Sequence, residues 1–123
     1  MNERELKFRV YTHIDKAFIY FDIEDYPSGI AMGVSAPQQF TGIKDHKNVE
    51  CYEGDIVRYY PLPPFEVSTG IIGEVVFNQG SFAIRVTDRF RGAFKRYNVY
   101  FNEDGIEYFE VIGNNCENPE LLK

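Results

Sequence analysis

Residues 70 to 86, GIIGEVVFNQGSFAIRV, contain the pattern that most constrains the fold, two strand-like runs joined by a short turn. From Ser81 to Val86, large apolar residues alternate with small or charged ones, which is the period of a strand with one buried face. The intervening Asn-Gln-Gly is typical of a tight turn. The stretch therefore predicts an antiparallel β-hairpin.

Similar short runs recur along the chain, with turn residues between them. We predict further strands over residues 7–11, 17–23, 30–35, 55–60, 95–101 and 106–113. The first two pair as a hairpin, and so do the last two. Residues 42–50 are predicted to be an irregular connection and residues 87–94 a longer loop. Residues 117–122, ENPELL, predict a helical turn that begins at Pro119.

These elements predict an all-β protein with no helix of normal length. We expect a small N-terminal β unit and connection over residues 1–50. A small barrel with a C-terminal tail follows over residues 51–123. A chain of 123 residues also suits one compact domain, and that alternative stays open.

Charge excludes some functions and highlights one segment. The net charge of −6 disfavours non-specific binding to nucleic acid or to an anionic membrane. Residues 85–96, RVTDRFRGAFKR, are the exception, with five basic residues and one acid, a net of +4. Since the whole chain carries −6, the remainder carries −10.

This basic segment is the strongest candidate for a binding site. Its candidate residues are Arg85, Arg89, Phe90, Arg91, Phe94, Lys95, Arg96 and Tyr97. Aromatic rings that stack on bases, combined with cations, are what binding of single-stranded nucleic acid requires. The alternative is a solvated basic loop that pairs with acidic surface of this chain or of a second subunit. We favour that alternative because the rest of the chain is strongly acidic.

The triplet Glu53-Gly54-Asp55 has two interpretations. The two carboxylates could bind a metal ion or act as acid and base. We prefer a turn in which Gly54 has positive φ and Asp55 accepts backbone N–H groups, because no further ligand lies at a suitable spacing. The stretch around Gly42, TGIKD, lacks the glycines and helix of a phosphate loop, so we expect a turn between the two units.

No residue pattern predicts catalysis, a metal site or a cofactor. Cys51, Cys116, His13 and His46 are too scattered for a zinc site, and neither histidine lies in a recognisable catalytic pattern. Each cysteine adjoins a glutamate, which disfavours a reactive thiolate. The N-terminus, MNERELKFRV, lacks the apolar core of a signal peptide, and no apolar run could span a bilayer. We expect a cytoplasmic protein with free thiols and no membrane contact.

Several short motifs occur in a characteristic order. They are Lys7-Phe8-Arg9, Thr41 to Asp45, Tyr52 to Val57, Gly73-Glu74-Val75, Glu110 to Asn114 and Glu117 to Leu122. With them the chain resembles phage and prophage proteins of the YopX type. It departs from that pattern at Tyr11-Thr12, where Trp-Asp is usual, and at residues 46–51, which often include Asn-Gly. Gly42, Glu53, Gly54, Asp55, Gly113 and Asn114 belong to the shared motifs.

The resemblance implies a phage or prophage origin, an all-β fold with an SH3-like barrel, and no established enzymatic activity. We therefore expect a non-enzymatic accessory protein in the cytoplasm of a bacterial host, acting through protein–protein contacts. Self-association is expected because 11 Phe and 9 Tyr exceed what a small β fold easily hides. The alternative is a nucleic-acid-binding module that uses residues 85–97.

Overall fold

The computed structural model describes residues 6–22, 24, 34–60, 70–90, 93–101 and 108–122, with the backbone alone at 87–90, 93–98 and 100. The predicted strand at 30–35 lies mostly outside these ranges. Its described residue Val34 forms an isolated antiparallel bridge with Thr12. Arg91 of the basic segment also lies outside the described residues.

Two antiparallel sheets make up the described structure. The first has the order β2-β1-β3-β4 and consists of β1 (Lys7–Thr12), β2 (Ala17–Asp22), β3 (Gln38–Lys44) and β4 (Glu50–Tyr52). The second has the order β8-β7-β6-β5-β9 and consists of β5 (Asp55–Tyr59), β6 (Ile71–Asn78), β7 (Ser81–Phe90), β8 (Ala93–Tyr100) and β9 (Phe109–Asn114). One sheet curls into a half-barrel, and a 3-10 turn spans Pro119–Leu122. The predicted all-β class is confirmed.

Two hairpins and the C-terminal turn form where the sequence predicts them. Strands β6 and β7 pair up to Asn78↔Ser81, directly across the predicted turn. Strands β1 and β2 pair over their full length, including Val10↔Ile19. These predictions are confirmed because alternation and turn residues are local signals that tertiary contacts reinforce here.

The predicted loop at 87–94 and the pairing of 95–101 with 106–113 are wrong. Strand β7 continues to Phe90, and its pairing with β8 reaches Phe90↔Ala93. Strand β9 pairs with β5, at the other end of the sheet. Charged residues made the segment look like a loop, but β8 is the edge strand, and sheet edges tolerate charge well.

The predicted irregular connection at 42–50 is confirmed only for residues 45–49, and the predicted turn at Thr41–Asp45 is wrong. Strand β3 runs through Gly42 to Lys44 and pairs with β4, with a register shift between Phe40 and Lys44. Gly42 has φ of 85° within this irregular stretch. The division between residues 50 and 51 falls inside β4 and stays a prediction.

The main core lies inside the second sheet and reaches into the first. Val57, Val75 and Ile84 are fully buried there, on β5, β6 and β7. Cys51 of β4 belongs to the same cluster and is also fully buried. The first sheet is therefore held against the half-barrel, and a groove forms where the two meet.

Candidate functional site

A groove of about 370 Å³ opens where the two sheets meet. Its walls come from both sheets, from the β3–β4 turn and from the segment after β9. The lining residues are Arg9, Phe18, Tyr20, Val49, Glu50, Tyr52, Asp55, Val111, Gly113, Asn114 and Glu117. The site therefore combines segments from the two ends and the middle of the chain.

Arg9 of β1 is a charged residue at the bottom of the groove, with only 5% of its surface exposed. Its Nη2 lies 2.6 Å from Asp55 Oδ1, and its Nε donates to Gln38 Oε1 at 2.8 Å. The guanidinium carbon also lies 4.2 Å from the centre of the Phe18 ring and 4.7 Å from that of Tyr52. Buried charge is costly unless paired, and this cation is paired, hydrogen-bonded and placed against two aromatic rings.

Asp55 combines the ion pair with the turn that precedes β5. Its Oδ2 accepts the backbone N–H of Tyr52 at 2.7 Å, and Gly54 between them has φ of 88°. The turn interpretation of Glu53-Gly54-Asp55 requires this geometry. Burial raises the pKa of Asp55 above its ordinary value, while the charge of Arg9 opposes that rise.

Gln38 extends the polar network toward the half-barrel. Its Nε2 donates to Asn115 Oδ1 at 3.0 Å, and Asn115 Nδ2 donates to Glu74 Oε2 at 2.9 Å. The amide of Gln38 lies directly against Gly54, where an added Cβ would overlap it. Gln38 thus links Arg9, at the bottom of the groove, to a connected set of polar side chains around Gly54.

The upper walls of the groove are aromatic and acidic. Tyr20 is 59% exposed, and its ring meets that of Tyr52 edge to face at 5.5 Å between centroids. Burial, and then the charge of Glu50, raise the pKa of Tyr52 to about 12. Glu50 forms an ion pair with Lys7, and Glu117 is exposed at the C-terminal side. The lining therefore contains three carboxylates, of which Asp55 and Glu50 are already in ion pairs.

Asp55 and Cys51 are already engaged or buried and are not available to a substrate. Both oxygens of Asp55 are already engaged by Arg9 and Tyr52. Cys51 is inaccessible, and burial, followed by the nearby charge of Asp55, raises the pKa of its thiol well above the ordinary value. Among the residues that the structure describes, no group of three or more histidine, cysteine or acidic side chains is arranged to hold a metal ion. In the same part of the chain, no helix has the length and apolarity needed to cross a membrane.

The predicted basic segment lies away from the groove, on β7 and β8. In the register of the two strands, Arg85 pairs with Asn98, Thr87 pairs with Arg96, and Arg89 pairs with Phe94. Because alternate strand positions share a face, Arg85, Arg89, Phe94 and Arg96 occupy positions on one side of this two-stranded ribbon. Phe90, Lys95 and Tyr97 occupy positions on the other side, in line with the buried Ile84 and Val86. The register thus divides the predicted set between two faces.

Two family-motif glycines and an asparagine have different placements. Gly113 and Asn114 line the groove, whereas Gly42 does not. Gly113 allows a close approach, since a Cβ there would lie 2.8 Å from Asn118 Oδ1 and 2.9 Å from Leu121 Cδ1. The C-terminal turn therefore packs directly over β9 beside the groove.

Sequence reasoning gave no role to Arg9 or to Asp45. Asp45 is buried, and its carboxylate accepts the backbone N–H groups of Lys47, Val49 and Val111, each at 2.9 Å. It thus fixes the β3–β4 turn against β9. The motifs Lys7-Phe8-Arg9 and Thr41 to Asp45 contained both residues. However, the ion-pair partner of Arg9 and the Val111 partner of Asp45 lie too far along the chain for a local pattern to find them.

Comparison with known proteins identifies the family. The model of the family described as "YopX protein" matches residues 5–123, nearly the whole chain. The chain belongs to the YopX family. The crystal structure of protein EF1440 from Enterococcus faecalis is similar to this chain with a TM-score of 0.59 and 20% identity, covering 98% of this chain and all of that one. That likeness shows a shared fold. A comparison with curated proteins gave no match.

Four of the six short motifs of this YopX-family chain contribute residues to the lining of the groove. Arg9, Tyr52, Asp55, Val111, Gly113, Asn114 and Glu117 all belong to them, and all line it. These motif segments are far apart in the sequence. The fold brings them together at one open surface.

Proposed function

We propose that this YopX-family protein is a non-enzymatic phage or prophage accessory protein that acts through protein–protein contacts made at the groove. The observation that carries the proposal is the convergence of the motif segments on a single open surface with an aromatic wall. Its family membership supports the phage or prophage context.

The construction of the groove supports a binding role. Tyr20 offers a rigid, exposed aromatic surface, and tyrosine is enriched where proteins meet. Beneath it, the paired Arg9 and Asp55 hold the floor in a fixed arrangement. A preorganised surface loses little conformational entropy when a partner binds.

A photoreactive amino acid at position 20 tests this function. Full-length protein carrying p-benzoylphenylalanine at Tyr20 is produced in cells during induction of the phage or prophage, irradiated, and analysed by mass spectrometry. We expect protein adducts at this position. The matched control is Ile14, a more exposed apolar residue on the β1–β2 turn, outside the groove. Equal adducts at both positions, or none at Tyr20, would overturn the proposal.

A nucleic-acid-binding module is the second candidate, and the register of β7 and β8 favours it. The positions of Arg85, Arg89 and Arg96 share one side of the ribbon with Phe94. Titration of labelled single- and double-stranded oligonucleotides at two salt concentrations tests it, because phosphate contacts weaken steeply with salt. Arg89→Ala and Arg96→Ala should each reduce the salt slope by about 0.7–0.9, whereas Lys44→Ala on β3 should not. Absence of salt-dependent binding would exclude this candidate.

The proposal includes three further features of the protein. We interpret the half-barrel as a barrel of the SH3-like type, place the protein in the bacterial cytoplasm, and expect a homo-oligomer. The two free cysteines are consistent with a reducing compartment. Exposed apolar side chains such as Ile19 and Phe77 support self-association. Light scattering after size exclusion should give a mass above 14.3 kDa, and a monomer at every concentration would refute the oligomer.

A further inference from the structure

We propose that the groove of one copy binds the basic ribbon of a second copy, where the basic ribbon is Arg85–Phe90 of β7 and Ala93–Arg96 of β8. This inference rests on the proposed function, because it names the partner of the same groove. The occupant of the groove is a second copy of this chain. Charge, the aromatic lining and the strand order favour that occupant.

The charges of the two surfaces are complementary. The lining of the groove has three carboxylates, of which Asp55 is paired with Arg9 and Glu50 with Lys7. The exposed Glu117, which accepts a hydrogen bond from Asn114, is therefore the acidic group that a cation from another molecule would meet. The basic ribbon has four cationic residues and the single acid Asp88. Opposite potentials steer association and fix its orientation. Within this chain the ribbon is the cationic segment that the acidic surfaces would attract most.

The aromatic wall explains more specifically why the groove would bind a guanidinium or ammonium group. Arg9 shows that this wall accepts a cation, because its guanidinium lies over the rings of Phe18 and Tyr52. The exposed Tyr20 provides a further ring above that site, and Glu117 lies at the same opening. A cation that enters between them gains a cation–π contact and a carboxylate partner.

Strand order favours a contact between two copies over one within a copy. The groove is lined from the second sheet by β5 and β9, whereas the basic ribbon is β7 with the edge strand β8. Strands β8 and β9 are the two ends of the five-stranded order, roughly 19 Å apart when measured along the curled sheet at about 4.8 Å per strand. If each copy inserts its ribbon into the other's groove, the same contact forms twice and the assembly closes as a two-fold dimer.

Charge reversal on each surface tests the contact with purified full-length protein. We expect the unmodified protein to give a mass of twice 14.3 kDa at low salt and a smaller apparent mass at moderate salt, because salt screens exposed charges. Glu117→Lys and Arg96→Glu should each weaken the dimer at least about tenfold, equal to about 1.4 kcal/mol. Mixing the two variants should restore dimers, since one wild-type contact and one charge-swapped contact then form.

A matched control separates this contact from a general effect of charge. Glu120 is exposed on the same C-terminal turn but does not line the groove, so Glu120→Lys should leave the dimer unchanged. Circular dichroism and thermal unfolding of each variant verify that it is folded. Equal weakening by Glu120→Lys, or a dimer indifferent to both Glu117→Lys and Arg96→Glu, would overturn the inference.

Crosslinking distinguishes failure of this inference from failure of the proposed function. Purified protein with p-benzoylphenylalanine at Tyr20 should form adducts with peptides from residues 85–96 of a second copy, identified with isotope-labelled and unlabelled chains. Adducts to another protein in cells, with a monomer in pure solution, would reject the ribbon as partner and leave the proposed function standing. Absence of any protein adduct in cells and in pure solution would reject both.

Discussion

The guanidinium of Arg9 and the carboxylate of Asp55 lie 2.6 Å apart in a buried ion pair that joins the two sheets. Their side chains are only 6% and 3% exposed. A buried pair of this kind is weak evidence for extra stability, because both charges lose their hydration. Loss of one partner has a larger effect, since it leaves the other charge buried and uncompensated.

Arg9→Met and Asp55→Asn should each lower the free energy of unfolding by roughly 3–5 kcal/mol. The double variant should lose less than the sum of the two, because it leaves no isolated charge. Urea denaturation of the four proteins measures this coupling. Lys7→Met is the control, since the Lys7–Glu50 pair is about one third exposed and should change stability by less than about 1 kcal/mol. Strictly additive losses would contradict the ion-pair interpretation.

Gly54→Ala should destabilise the protein more than Gly42→Ala does. Both glycines have positive φ, 88° and 85°, so each alanine costs roughly 1–2 kcal/mol of backbone strain. Only at Gly54 does the new Cβ overlap other atoms, those of Gln38 and Asn115, whereas nothing lies within 4 Å at Gly42. Overpacking should add about 1–3 kcal/mol at Gly54. Equal melting temperatures for the two variants would show that the close contact does not matter.

Asp45→Asn should destabilise the β3–β4 turn. The carboxylate accepts three backbone N–H groups, and an amide would present a donor to at least one of them. Each lost bond to a charged acceptor costs roughly 1.5–3 kcal/mol. Asp15→Asn on the exposed β1–β2 turn is the matched control and should stay within about 0.5 kcal/mol. Chemical denaturation compares the two, and similar small losses would refute the structural role of Asp45.

Alkaline pH should destabilise the fold through Cys51 and Tyr52. Burial raises the pKa of both groups in the folded protein, above 9.0 for Cys51 and from 10.0 to about 12 for Tyr52. The unfolded chain therefore loses these protons first, so the stabilisation is complete below pH 9 and declines as pH rises through the window up to about 12. The free energy of unfolding, measured by urea at several pH values, should fall across this window.

Cys51→Ala and Tyr52→Phe test the origin of that decline. Because each variant has its own free energy of unfolding at neutral pH, the proteins are compared by the slope of this free energy against pH and not by its absolute value. Each slope should be shallower than in the unmodified protein because one titrating group is gone. Slopes identical to that of the unmodified protein would assign the decline to other groups.

Local patterns in the sequence were sufficient to predict two hairpins, β1–β2 and β6–β7. The alternation at Ser81–Val86 predicts which residues face the core, and Phe82, Ile84 and Val86 on that face are buried. Ala83 on the opposite face is buried as well, which the alternation does not predict. The charged stretch beyond Val86 offers no such alternation of apolar residues. Its strand structure depends on pairing across β7 and β8, which a one-dimensional pattern does not contain.

The candidate groove depends even more on distant contacts. Arg9 and Asp55 are 46 positions apart, and Gln38 and Asn115 are 77 apart. The sequence could identify Glu53-Gly54-Asp55 as a turn because Gly and Asp act locally. It could not show that the Asp55 carboxylate also neutralises a buried arginine, because that depends on how the two sheets pack.

The ion pair also constrains the order in which the protein can mature during translation. Arg9 is synthesised 46 residues before Asp55, which at about 5–20 residues per second corresponds to roughly 2–9 s. During that interval the hairpin of β1 and β2 can form, but Arg9 cannot be buried as an ion pair because Asp55 has not yet been synthesised. The hydrogen bond from Gln38 to Asn115 can form only later still, because Asn115 is synthesised 77 residues after Gln38. The first sheet to be synthesised therefore acquires its final packing only after β5 and the C-terminal segment have emerged, and its tyrosine-lined surface stays open until then.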